Sequence, residues 1–132
     1  YAAPTKSKTL RGCDPKGCGH FGAPRGSRLH MGVDFKASIN EPIYSPVSGK
    51  VTRFPYAASD LMHKGVEIKV GNEVHTVFYV KPTVKIGDTI NKGQLIGYAD
   101  DIVKKYGSTM TNHVHHQVAV NGKFIDPIKK YE

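Results

Sequence analysis

No apolar run in this 132-residue chain approaches the roughly 20 residues that a membrane-spanning helix needs. Helical periodicity is nearly absent too, and the one stretch with helical colour, Asp100 to Tyr106, is long enough for a turn or two. No internal repeat is visible. Acidic residues are outnumbered by basic ones, 11 to 19, for a net charge of +8. The basic residues are spread out, however, and their longest runs are the pairs Lys104-Lys105 and Lys129-Lys130. With no basic arm and no strand that interleaves aromatic and basic residues, nucleic acid has no motif behind it. The charge fits a soluble basic surface, or attraction to an anionic polymer such as a cell wall, a glycosaminoglycan or an acidic receptor face.

Cysteine is scarce as well: Cys13 and Cys18 are the only two. A Cys-x-x-Cys metal knuckle would need a different spacing and a second pair. Asp14-Pro15 and Gly17 supply turn chemistry between the two sulfurs, so a Cys13–Cys18 disulfide is expected, and with it an oxidising compartment. The chain opens on Tyr1 rather than methionine, which fits a removed leader and a secreted protein.

What is present fits one domain with a real core. Fourteen glycines and eight prolines are spread through the whole length, which favours many short elements joined by turns. Strand-like segments fall at 31–35, 42–44, 49–54, 65–70, 74–80, 95–98 and 114–120. Gly71-Asn72 between Val70 and Val74 predicts a hairpin. The class is all-β with at most one short helix. Residues 1–12, polar and basic, read as a flexible arm ahead of a single domain over 13–132.

Seven histidines are more than a core of this size needs. On a strand, His113 and His115 share a face about 6.6 Å apart, so both can reach one metal ion or the water on it. His30 and Asp34 would also share a face, but about 13 Å apart in a straight strand, too far for both to ligate one ion. The chain must bend between them, and Gly32 stands where a bulge or kink costs least. Two histidines and a carboxylate, with a fourth position open to water, is a known zinc arrangement. Either segment alone is common on ordinary strands, and the sequence does not show that the two meet.

Phe21-Gly22, Arg25, and His30-x-Gly32-x-Asp34-Phe35 resemble the lysostaphin-type zinc endopeptidases, which cut peptidoglycan cross-bridges. So do Pro42-Ile43-Tyr44-Ser45-Pro46 with Gly49-Lys50-Val51, the Gly87-to-Gly97 segment, and His113-x-His115. These motifs run in order over about residues 19 to 127. The Cys13-to-Gly19 loop, Gly65-Val66 with Ile68, and Phe78-Tyr79-x-Lys81-Pro82 are similar to the animal, chemotaxin-like branch, although that branch's other cysteines have no counterpart here. The resemblance implies the antiparallel scaffold of that family with a metal groove along one sheet. It also implies one zinc per chain on His30, Asp34 and His115, and His113 beside the metal as general base or transition-state partner. Active peptidases carry a second catalytic histidine where this chain has Lys81. A charged lysine cannot accept a proton, though it can donate to an oxyanion.

Of the remaining histidines, His20, His63 and His75 have no matching role, although His75 shares strand parity with Val77, Tyr79 and Lys81, which leaves the same cleft open to it. His116 should point away from it. Arg25 and Asn112 are candidate groove residues. Three readings follow. The first is a catalytically silent, secreted zinc protein acting as a ligand for a protein receptor, a peptide or a cell wall. The second is an active endopeptidase for glycine-rich or peptidoglycan peptides, and the third a wall- or polysaccharide-binding module.

Overall fold

Short alternating segments punctuated by glycine and proline give a protein built almost wholly of strands. The computed structural model describes residues 1–25, 28–57, 60–103, 107 and 109–132, without the side chains of Arg25, Arg28, Asp60 and Leu61. In chain order the strands are β1 (Cys13–Asp14), β2 (Gly17–Cys18), β3 (Pro24–Arg25), β4 (Arg28–Leu29) and β5 (Val33–Lys36). There follow β6 (Pro42–Tyr44), β7 (Gly49–Arg53), β8 (Tyr56–Ala57), β9 (Asp60–Val70) and β10 (Glu73–Phe78). The last five are β11 (Val80–Pro82), β12 (Thr89–Ile90), β13 (Leu95–Ala99), β14 (His113–Val120) and β15 (Lys123–Ile125).

The main sheet runs β12-β7-β9-β10-β14-β15, with β5 added to β14 and β8 to β9. A second sheet has the order β11-β13-β6, and β1-β2 and β3-β4 are separate two-stranded ribbons. All pairings are antiparallel. The all-β expectation holds. Gly71-Asn72 does join β9 to β10, with Glu73 opposite Val70 and Gly71 at φ +57°. Of the expected helical turn over Asp100–Tyr106, residues 104–106 lie outside the described ones. Among the described residues no helix is long and apolar enough to cross a membrane.

Val33, Phe35, Ile43, Val51, Val66, Ile68, Val77, Val80, Ile90, Ile96 and Val114 form the core. The first twelve residues differ from the expectation of a flexible arm. The Ala2 amide donates to Pro46, the Pro4 carbonyl accepts from Tyr44, Leu10 bridges to Phe35, and Ala3 is buried in the core cluster. Small apolar side chains among the polar ones let this segment lie flat on the domain.

Tyr1 also enters a polar chain on the core side of the main sheet. The Tyr131 hydroxyl donates to His116 Nδ1 (2.6 Å), and His116 Nε2–H donates to His75 Nδ1 (2.9 Å). His75 Nε2–H in turn donates to Glu73 Oε1 (2.8 Å), which also accepts from the Tyr1 hydroxyl (2.9 Å). Every donor in this chain has one acceptor only while both imidazoles are neutral. Burial pushes both rings below the ordinary histidine value, and burial with the adjoining Glu73 raises Tyr1 to about 12.

Two outcomes test this account. Ile68, fully buried, should cost about 2–5 kcal/mol when changed to alanine, whereas Ile86, 61% exposed, should cost within about 0.5 kcal/mol, both read by urea unfolding. For pH, the folded chain resists protonation at His75 and His116, while the unfolded chain takes up protons near 6.5. The unfolded state therefore binds more protons below that pH, and stability should fall as pH drops from 7.5 to 5.5. The urea midpoint, measured with chelator present so that metal release plays no part, should decrease over that window; an unchanged midpoint contradicts the neutral pair.

Candidate metal centre

β5 and β14 pair with Asp34 directly opposite His115 and His113 opposite Lys36, so these four side chains share one face of the sheet. His30 arrives from outside the strand. The chain bends at Gly32, where an added Cβ would lie 2.4 Å from the His116 carbonyl oxygen and 2.8 Å from His115 Nε2. Only glycine lets the backbone fold this close to β14. The bend brings His30 Nε2 to 2.8 Å from His115 Nδ1 and 3.1 Å from Asp34 Oδ1, while His115 Nδ1 lies 3.0 Å from the same oxygen. The two segments that the sequence left separate thus meet, and His30, Asp34 and His115 form one cluster.

The hydrogen bonds behind the cluster fix its character. His30 Nδ1–H donates to the His20 carbonyl (2.9 Å), and His115 Nε2–H donates to Gln117 Oε1 (3.0 Å). Each ring therefore turns a lone pair toward Asp34. Three electron-pair donors within 3.1 Å of one another, one of them anionic, repel unless a cation lies among them. Two imidazoles and a carboxylate, oriented by outer hydrogen bonds, fit a zinc ion with a fourth position left open. In such a site zinc supplies Lewis acidity and lowers the pKa of water at the open position.

His113 stands next to this cluster. Its Nδ1–H donates to the Thr111 carbonyl (2.7 Å), which leaves Nε2 free 3.4 Å from Asp34 Oδ2. Burial pushes the ring below its ordinary value, against the pull of Asp34, so His113 is neutral and able to take a proton. The cluster opens into a groove of about 450 Å³ whose walls include Leu29, Met31, Phe78, Tyr79, Met110 and Lys16.

Lys81 is placed differently from the expectation. It lies on β11 in the second sheet, exposed, with its ammonium donating to Asn40, and it does not line the groove. The cause is Tyr79, whose φ of +68° breaks strand alternation between β10 and β11. Phe78 and Tyr79 consequently both face the groove. His75, for which strand parity left the cleft open, is on the opposite face in the buried chain with His116, which does point away from the cluster. Asn112 is a tether rather than a groove residue: its amide donates to Ala37 and Asp100 and accepts from Ile102. His63 is buried and donates to the Asp101 carbonyl, and His20 serves through its backbone. The Arg25 side chain lies outside the described residues.

Three residues of the site escaped the sequence reading. Gln117 could have been found, because it stands two beyond His115 on the same strand face. Arg11 and Asp14 carry no such signal. The Arg11 guanidinium bonds both Asp14 oxygens and Asp34 Oδ2, and burial of Asp14 is outweighed by Arg11 and the Thr111 and Lys16 amides, which hold its carboxyl low. The predicted Cys13–Cys18 disulfide is formed, across the β1-β2 ribbon that carries Asp14.

The family model described as Peptidase family M23 matches residues 28–127. This chain belongs to peptidase family M23. Bovine leukocyte cell-derived chemotaxin-2 (Bos taurus) is 34% identical over 111 residues, 83% of this chain and 72% of the relative. Among solved structures, a zinc-containing peptidase from Vibrio cholerae superposes with a TM-score of 0.68 at 26% identity, over 94% of this chain and 37% of that one. The catalytic domain of the antimicrobial peptidase lysostaphin from Staphylococcus simulans gives 0.63 at 26% identity, covering 85% of this chain and 87% of that domain. The structural relatives thus include a peptidase that contains zinc and an antimicrobial peptidase.

If the cluster holds the metal, His115→Ala should remove most zinc bound by the purified protein. It should also abolish the rise in melting temperature that zinc gives the parent, because a ligand held only by the folded state stabilises by linkage. Metal analysis and thermal melts of both proteins check this, and equal zinc content in the two would exclude the site.

Proposed function

We propose that this M23 protein is a secreted zinc-binding protein without peptidase turnover, acting outside the cell as a chemotactic or recognition ligand. The observation that carries the reading is the position of Lys81. In sequence Lys81 stands where the family resemblance calls for a second catalytic histidine, and its ammonium donates to Asn40 away from the groove. Among the described residues His113 is then the one imidazole near the cluster that is not in the His30–Asp34–His115 set. Attack by water on a peptide needs both a proton acceptor and a group to steady the developing oxyanion, and this groove offers one imidazole for two tasks. The Cys13–Cys18 disulfide supports an extracellular setting, as does similarity to a protein named as a chemotaxin. A partner would be a protein receptor, a peptide or a cell-wall ligand, with the +8 charge favouring anionic surfaces, including polysaccharide.

A second reading, an active endopeptidase for glycine-rich or peptidoglycan cross-bridge peptides, is favoured by one observation: neutral His113 presents a free Nε2 beside the cluster. Zinc-loaded protein with about one metal per chain separates the two when incubated with pentaglycine and with intact peptidoglycan. The silent reading expects both to stay uncut. Products that chelator abolishes and zinc restores would establish the enzyme instead.

A further inference from the structure

Asp34 has two carboxylate oxygens, and they face different partners. Oδ1 is the corner of the triangle with His30 and His115, whereas Oδ2 lies 3.0 Å from Arg11 Nη1. The Arg11 side chain is 2% exposed and Asp34 1%, so water does not compete for either. The other edge of the guanidinium is fully used: Nε donates to Asp14 Oδ2 at 3.0 Å and Nη2 to Asp14 Oδ1 at 2.9 Å. Asp14 is itself fixed by the amides of Thr111 and Lys16, both at 2.8 Å.

The backbone repeats the same connection. The Arg11 amide donates to the Asp34 carbonyl (2.9 Å), and the Asp34 amide donates to the Gly19 carbonyl (2.8 Å). Gly19 in turn donates to Gly12 (2.8 Å), so the base of the disulfide-closed ribbon straddles Asp34. A Cβ on Gly19 would lie 2.9 Å from the Cβ atoms of both Arg11 and Asp34, which shows how tightly the three segments are pressed together.

We propose that Arg11 is a positioning residue that reserves Asp34 Oδ2, so that Asp34 ligates through Oδ1 alone, and that Asp14 on the β1-β2 ribbon holds Arg11 in that pose. This rests on the metal-binding reading of the cluster. A free carboxylate can turn and give a metal both oxygens; a planar fork anchored on a second carboxylate prevents that turn. The consequence for the site is its open position. With Oδ2 withheld, the cluster supplies three ligand atoms, and the fourth place stays available to an outside ligand.

Cobalt(II) in place of zinc reports coordination number directly, since four-coordinate tetrahedral cobalt absorbs visible light far more strongly than five-coordinate cobalt. The experiment compares the visible spectra of the cobalt-loaded parent, Arg11→Met and Asp14→Asn, each first shown by thermal melting to be folded. The parent should give the intense tetrahedral bands. Arg11→Met should lose most of that intensity as Oδ2 joins the metal, and Asp14→Asn should fall between the two. A merely structural role for Arg11 would lower the melting temperature and leave the spectrum alone. A folded Arg11→Met protein with the parent's spectrum overturns the proposal. Should that variant not fold, Asp14→Asn, which keeps the volume, decides by the same comparison. A parent that takes up no cobalt fails the metal reading and this inference with it, whereas a binding parent with unchanged variants fails the inference alone.

Discussion

One buried negative charge organises the functional half of this molecule. Asp34 is almost wholly withdrawn from water, and an isolated carboxylate in that position would simply bind a proton. The Arg11 guanidinium answers its charge at Oδ2, while the imidazole lone pairs of His30 and His115 at Oδ1 call for a cation among them. Removing one partner from such a buried pair commonly costs about 3–5 kcal/mol, so the arrangement is all or nothing. Gly32, Gly19 and the β1-β2 ribbon are then understandable as parts that bring those partners within reach.

The same strand serves two chemistries by alternation. Along β14, His113, His115 and Gln117 face the groove, while Val114, His116 and Val118 face the core. The groove side places lone pairs together and so calls for a cation. On the core side two neutral imidazoles pass hydrogen bonds in one direction from Tyr131 to Glu73, with no cation needed. Adjacent residues of one strand, His115 and His116, thus have opposite electrostatic requirements, and the sheet between them keeps those requirements apart.

The proposed reading of the groove as a binding site turns on His113 being, among the described residues, the one groove imidazole outside the His30–Asp34–His115 set. A metal and one neutral imidazole supply part of the machinery for peptide hydrolysis. The half-buried Phe78 and Tyr79, together with the exposed Leu29 and Met31, instead give the groove walls suited to holding an apolar side chain. Such walls suit an apolar side chain of a partner, in a protein whose relatives include a chemotaxin as well as peptidases.

Local pattern in the sequence was enough for the class of fold, for most of the strands, for the Gly71-Asn72 hairpin and for the bend required at Gly32. It was also enough to see that His113 and His115 share a face, because the strand period of two is a property of the backbone alone. It was not enough for Lys81 and His75, since that inference carried the period past Tyr79, where a positive φ resets it. Nor could it reach Arg11 and Asp14, whose role depends on packing against Asp34, 23 residues beyond Arg11. Period and turn chemistry act between near neighbours and are written in composition and spacing. The charge balance around Asp34 is set by segments distant in sequence, so only the tertiary structure, by burying them together, decides it.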